Sequence, residues 1–189
     1  MGQDKRFLTI GERTLFERSL AVIVSVFQEV FVVIAQDSAS LQIDVPVLRD
    51  LVPNKGSLGG LYTGLTHAGT PYVFVVACDM PFLNPQAVRA MVDLRGQADI
   101  VMAKRADGFQ PMHALYSRRC LPAMEQMLAR GELKVQQLVT NPSFRVKLVA
   151  EEEVRKMDPT GQSFLNVNTP ADLETAQTWY ARRKERDAS

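Results

Sequence analysis

Apolar residues recur along TLFERSLAVIVSVF at Leu15, Phe16, Leu20, Ile23, Val24 and Phe27, a spacing that gathers them on one face of a helix. The run VFVVIA that follows is short, continuous and rich in β-branched residues. Such a run suits a strand covered on both faces, as in a parallel sheet. After VPVLRD, the segment NKGSLGGLYTGLTHA reads as a glycine-bearing loop and a second helix that begins near Leu58. YVFVVACDMPFL is a second apolar run, closing on an acid. NPQAVRAMVDL predicts a third helix, started by Asn84 with Pro85 in its first turn, and DIVMA predicts another short strand.

The pattern changes after about Lys104. FQPMHALYS predicts a strand with no nearby parallel partner. CLPAMEQMLARG predicts a helix capped by Gly131. FRVKLVAEEEV predicts an edge strand, because Arg145 and Lys147 alternate with apolar residues. FLNVNTPADLETAQTWYARRKE predicts a short strand and a final helix, with Thr169 as cap, Pro170 at the first helical position and Asp172 in the first turn. Strands alternating with helices define an α/β fold with a mainly parallel sheet. The expected organisation is one domain over 1–189, with a nucleotide-binding half at 1–103 and a substrate half at 104–189.

Composition narrows the function classes. The 189 residues are 46% hydrophobic and 23% charged, which is ordinary for a globular chain able to bury a core. A net charge of +1 carries no nucleic-acid signature. The two cysteines, Cys78 and Cys120, lie far apart in no CxxC pair, so neither a disulfide framework nor a zinc site is expected, and a reducing cytoplasm is the expected setting. No apolar run approaches the roughly 18 residues of a membrane span, and no signal-peptide apolar region follows Asp4 and Lys5. The charged tail RRKERDAS reads as a solvated helix end.

Four features carry candidate chemistry. Asp79 follows a buried strand, and in open α/β sheets ligands bind beyond the carboxyl ends of strands. A carboxylate there either holds Mg²⁺ against nucleotide phosphates or caps the next turn. In RDLVPNKGSLGGLYTGL, the small residues Gly56, Ser57, Gly59 and Gly60 either let backbone approach a ligand or form a flexible surface loop. A helix starting near Leu58 would direct amides at a polar group, and Asp50 could accept hydrogen bonds from a base or ribose. The segment lacks the GK[ST] ending of a Walker A loop. Asn166 and Asn168, two apart on the expected strand, share a face; Asn168 serves either as a metal or phosphate contact or as a turn residue. Lys5, in MGQDK before the first helix, is placed to neutralise triphosphate charge or is a plain surface lysine. His113 has no evident Ser or Asp partner and reads as structural, and His67 as a helix-end residue.

In this order, the segments resemble the molybdenum cofactor guanylyltransferases, a branch of the nucleotidyltransferases with a Rossmann-like, three-layer fold. That family opens with a strand and the loop LAGGxSxRMGxDK, of which MGQDK is present here, so that Met1, Gly2 and Lys5 match its end. RDLVPNKGSLGGLYTGL resembles the family's guanine-recognition segment and places Asp50 and Gly60 near the base. ACDMPFL resembles its metal-binding segment and places Asp79 on Mg²⁺. FQPMHALYS and FLNVNTPADL resemble its carboxyl-terminal segments, which makes 104–189 a pterin-binding half. Gln36 stands where the family often has an asparagine near the base.

The resemblance implies attack by the terminal phosphate of molybdopterin on the α-phosphorus of GTP, with pyrophosphate leaving and no covalent enzyme intermediate. Lys5 and Asp79 would be the catalytic residues, with Lys5, Asp50, Gly60, Asp79 and Asn168 binding the nucleotide and its Mg²⁺; Lys104 and Lys134 either hold the pterin phosphate or are plain surface lysines. GTP, molybdopterin and molybdoenzyme chaperones are the implied partners. A pterin cytidylyltransferase, a sugar-phosphate nucleotidyltransferase and a non-catalytic pterin-binding protein are the alternatives. The family's first strand and Gly-Gly loop are expected upstream of an internal Met, so a chain beginning at MGQDK is expected to fold with a gap at the sheet centre and to bind GTP weakly.

Overall fold

The computed structural model describes residues 8–187. A short hairpin of β1 (Thr9–Ile10) and β2 (Arg13–Thr14) leads into α1 (Leu15–Val26). Thr14 starts this helix with a reciprocal cap: its hydroxyl accepts from the Glu17 amide, and Glu17 Oε2 accepts from the Thr14 amide. β3 (Val32–Ile34) and β4 (Val47–Arg49) pair in parallel as a small sheet of their own. α2 (Gly56–His67) follows, then β5 (Tyr72–Val76), α3 (Pro85–Asp93), β6 (Ile100–Arg105) and β7 (Gly108–Ser117). The chain closes with α4 (Leu121–Arg130), β8 (Val146–Ala150), α5 (Glu151–Met157) and α6 (Pro170–Asp187).

The larger sheet has the order β5-β7-β6-β8. β7 runs antiparallel to both β5 and β6, while β6 and β8 are parallel. The α/β architecture stands, and its sheet is mixed rather than purely parallel. β7 enters between β5 and β6 because a short turn folds it straight back onto β6, which only an antiparallel partner can do. Strands from either side of residue 103 thus interleave in one sheet.

Side-chain alternation divides the sheet into two faces. Ile100, Met102, Ala114 and Tyr116 pack with Leu58, Leu61 and Leu65 of α2 and with Met124, Met127 and Leu128 of α4. Val101, Ala103 and Leu115 point the other way, against Met91 of α3, Val154 of α5 and Phe164. Period-two burial on a sheet with helices over both faces is the three-layer arrangement. Asp99, buried where β6 begins, accepts hydrogen bonds from the Arg145 amide (2.9 Å) and Arg119 Nη1 (3.2 Å), which ties β8 and the start of α4 to the centre.

Two boundaries depart from expectation. VKLVA forms the edge strand, but EEEV turns into α5, since three glutamates in a first turn favour a helix start over a continued ladder. FLNVN forms no strand. Gln162–Phe164 is a 3₁₀ turn and residues 165–169 form no strand, so Asn166 and Asn168 do not share a strand face. The caps at Asn84, Gly131 (φ 72°) and Thr169 are formed.

Among the described residues, the facing edges of β3 and β5 pair with no strand. Between them lies a slot of about 1250 Å³, walled by 30–35 and 71–79, with α1 and α2 contributing the remaining sides. All five residues of β5 are consequently only half-buried, although the strand is wholly apolar. No described helix is long and apolar enough to cross a membrane.

Candidate active site

The slot opens at the carboxyl ends of the strands, and there the candidate residues collect. Asp50 directly follows β4, and Asp79 lies three residues beyond β5; both line the cleft, together with Gly56, Ser57 and Gly60 at the amino end of α2. The strand ends place them there because a chain leaving a strand must turn, and the turn carries its first polar side chains to the sheet's rim.

Asp50 is buried and held. Its Oδ1 accepts from Thr63 Oγ1 at 2.8 Å and from the Val52 amide at 3.2 Å. The Thr63 hydroxyl in turn accepts from the Leu51 amide at 2.9 Å. The other oxygen, Oδ2, lies against Gly59: a Cβ built on that glycine would be 2.8 Å from it and 3.0 Å from the Val52 carbonyl. Gly59 is therefore required by close packing on Asp50. Gly60, beside it, is different. A Cβ there would meet nothing within 4 Å, so the space over Gly60 belongs to the cleft. α2 begins at Gly56, two residues earlier than expected, and its N-cap Lys55 makes no side-chain capping bond. Its first-turn amides consequently have no side-chain cap at the cleft.

Asp79 sits in a turn pinned from two directions. Ser19 Oγ of α1 donates to the Met80 carbonyl at 2.8 Å, and the Val167 amide donates to the Asp79 carbonyl at 2.9 Å. The second bond brings the 165–169 segment against the turn. Asn168 is exposed, its amide donating to Asp172 Oδ2 at 2.9 Å, and it does not line the cleft. Its neighbour Val167 is buried and carries the contact.

Lys5, with Met1 and Gly2, lies outside the described residues. Lys104 and Lys134 are exposed and line no part of the cleft; Lys104 lies 5.7 Å over the Phe109 ring. Gln36 is exposed, its carbonyl accepting from Arg49 Nη1 at 2.6 Å, while Ala35 lines the cleft. His67 meets the Thr63 carbonyl through Nδ1 at 2.9 Å, in the last turn of α2. His113 is fully buried, and burial pushes its pKa down to about 4. Cys78 is exposed and Cys120 buried, both as free thiols; burial raises the Cys120 thiol to about 12.

Thr63, Ser19 and Arg49 support the site without having stood out in the sequence. Thr63 and Ser19 are small polar residues on otherwise buried helix positions, a weak signal on its own. Arg49 bonds three carbonyls of the 35–38 loop and gives no sequence signal.

Among the described residues no group of three or more His, Cys, Asp and Glu side chains forms a metal cage. Asp79 alone, with a buried Oδ1, fits a cation that keeps water and substrate phosphates as its other ligands, which is the habit of Mg²⁺.

Residues 1–145 match the family model of the MobA-like NTP transferase domain. The chain is 34% identical over 177 residues to a probable molybdenum cofactor guanylyltransferase from Pelotomaculum thermopropionicum, covering 94% of this chain and 85% of that one. It is 32% identical over 177 residues to the molybdenum cofactor guanylyltransferase of Desulfosudis oleivorans, covering 93% and 87%. Among solved structures, the molybdopterin-guanine dinucleotide biosynthesis protein A of Archaeoglobus fulgidus superposes with a TM-score of 0.81 at 25% identity, over 96% of this chain and 92% of that one.

Proposed function

The chain belongs to the MobA-like NTP transferase family, and on that premise we propose that it transfers GMP from GTP to molybdopterin, yielding the guanine dinucleotide and pyrophosphate. An oxygen of the molybdopterin terminal phosphate forms a new bond to the α-phosphorus of GTP. The bond from that phosphorus to the bridging oxygen of the β-phosphate breaks, and pyrophosphate carries away the electron pair. No nucleophilic side chain is required, so catalysis rests on positioning and charge.

The observation that carries this reading is the joint placement of Asp50, Gly60 and Asp79 on one cleft at the strand ends. Asp50, fixed through Oδ1, presents Oδ2 as an acceptor for the N1–H and 2-amino group of guanine, which adenine does not offer. The open surface over Gly60 receives the base. Asp79 holds Mg²⁺, which when bound offsets charge on the α-phosphate. Lys5 is proposed to neutralise the departing pyrophosphate, and Asn168 to reach the nucleotide phosphates through the segment anchored at Val167. The pterin lies toward the carboxyl-terminal half, the setting is the cytoplasm, and a molybdoenzyme chaperone receives the product.

The test is to incubate the protein with molybdopterin, Mg²⁺ and GTP, CTP or ATP in turn, and to resolve the dinucleotide by chromatography. Product from GTP alone is expected. Product from CTP in preference would make the protein a pterin cytidylyltransferase and overturn the guanine assignment.

A further inference from the structure

His113 has no part in the transfer just described, yet it occupies the centre of a stack that joins β5 to the segment beside Asp79. It lies on β7 opposite Val76, at the end of β5 that leads into the Asp79 turn. Its ring lies 4.3 Å from Phe164, stacked at 26°, and meets Phe74 of β5 edge-on at 5.4 Å and 83°. The Arg105 guanidinium lies 5.3 Å over the Phe164 ring, and Arg105 Nη1 donates to the Gly161 carbonyl at 3.0 Å.

Phe164 belongs to a strap laid along the Asp79 turn. At one end the Asn84 amide donates to Ser163 Oγ (2.9 Å), and the Ser163 amide donates to the buried Asp158 carboxylate (2.9 Å). At the other end the Val167 amide donates to the Asp79 carbonyl. Those polar bonds fix the strap to the turn. The stack fixes the strap to the sheet, since His113 touches Phe74 on one strand and Phe164 on the strap.

Neither imidazole nitrogen meets full hydrogen-bond geometry among the described residues, although the Ser163 backbone interacts with the ring and favours its protonated form. A buried polar ring in that condition costs stability that a phenyl ring would not. The stack uses the flat ring, because an aliphatic side chain of like volume cannot stack.

We propose that His113 is a positioning residue: its ring holds the 162–168 strap in register with the Asp79 turn, so that the segment bearing Asn166 and Asn168 stays beside Asp79. For the transfer reaction this rests on the function proposed above; for the geometry it does not.

Native-state hydrogen exchange of the Val167 amide reads the register directly, with the amides of β6 as an internal reference for global opening. His113→Leu, which fills the space without stacking, is expected to speed Val167 exchange at least tenfold while β6 exchange changes far less. His113→Phe is expected to return Val167 to its original protection. With GTP and molybdopterin, kcat should fall about tenfold in His113→Leu at nearly unchanged KM for GTP, and recover in His113→Phe. Equal Val167 protection in all three proteins overturns the proposal, as does a parallel loss at Val167 and β6. Should His113→Leu not fold, failure of His113→Phe to protect Val167 overturns it equally. If the unmodified protein makes no dinucleotide, the functional reading fails, and the exchange result still decides the role of His113.

Discussion

Thr63 Oγ1 donates to Asp50 Oδ1 at 2.8 Å, across the junction of β4 and α2. One carboxylate oxygen is thereby committed to the fold, and the proposed function assigns the other to the base. Thr63→Val removes the hydroxyl that orients the acid while keeping its shape. GTP affinity is expected to fall about tenfold, the cost of about one hydrogen bond to a charged group. Asp50→Ala should weaken GTP binding further and leave pterin binding nearly unchanged. Calorimetric titration of both ligands checks this; equal affinity of the unmutated protein for GTP and ATP would remove Asp50 from base recognition.

Gly59→Ala tests the same acid from the opposite side. The added methyl would lie 2.8 Å from Asp50 Oδ2 and 3.0 Å from backbone. Stability should drop by about 1–3 kcal/mol, with GTP binding lost along with it. Gly60→Ala meets nothing in the protein, so it should leave the melting temperature within a degree or so and weaken nucleotide binding alone. Thermal melts paired with GTP titration separate the two.

Asp79→Asn retains the turn, whose bonds from Ser19 and Val167 reach backbone carbonyls of residues 80 and 79. It is expected to lower turnover at least a hundredfold with the melting temperature little changed. EDTA should stop the reaction of the unmutated protein, and added Mg²⁺ should restore it. Near-normal turnover of Asp79→Asn would sink the assignment of Asp79 to the metal.

The slot between β3 and β5 predicts a response to a strand. Its walls are two apolar strands whose facing edges pair with no strand among the described residues. An apolar, β-branched segment fused ahead of residue 1 and ending in a glycine-rich turn should pair with both edges and raise the melting temperature by several degrees, each kcal/mol being worth about 2–4 °C at this size. It should also tighten GTP binding, since a glycine-rich turn lets amides converge on phosphates. Equal melting temperature and equal affinity with and without the segment would show that the slot takes no strand.

His113 makes stability depend on pH. Its pKa is near 4 in the folded protein and about 6.5 when unfolded, so the unfolded chain binds more protons between those values. Stability from the neutral ring is complete above about pH 6.5 and is lost as pH falls toward 4, roughly 3 kcal/mol in all. The Asp158 carboxylate opposes part of this depression. Urea melts at pH 7 and 4.5 should show a steeper acid loss in the unmutated protein than in His113→Phe; matching slopes would refute the linkage.

Most helices were legible in the chain because the causes of their ends are local; α5, expected as strand, and the start of α2 were not. Asn84 and Thr169 cap through bonds to amides two or three residues on, and Gly131 takes the left-handed conformation that ends α4. That Asp50 and Asp79 lie at strand ends was legible as well, since each follows an apolar run. Strand order was not. Apolar runs at residues 72–76 and 100–105 say nothing of β7 lying between them, because pairing depends on surfaces far apart in sequence. Nor could FLNVN be told from a strand by its pattern: it begins in a 3₁₀ turn and joins no ladder. Thr63 against Asp50, Ser19 against Met80 and the His113 stack on Phe164 join residues from 13 to 61 positions apart. Local sequence determined which segments could bear ligands and where helices begin. Tertiary packing decided which oxygen of Asp50 is bonded by Thr63 and which residue holds the 165–169 segment to the Asp79 turn, because those depend on desolvated contacts that exist only once the layers have closed.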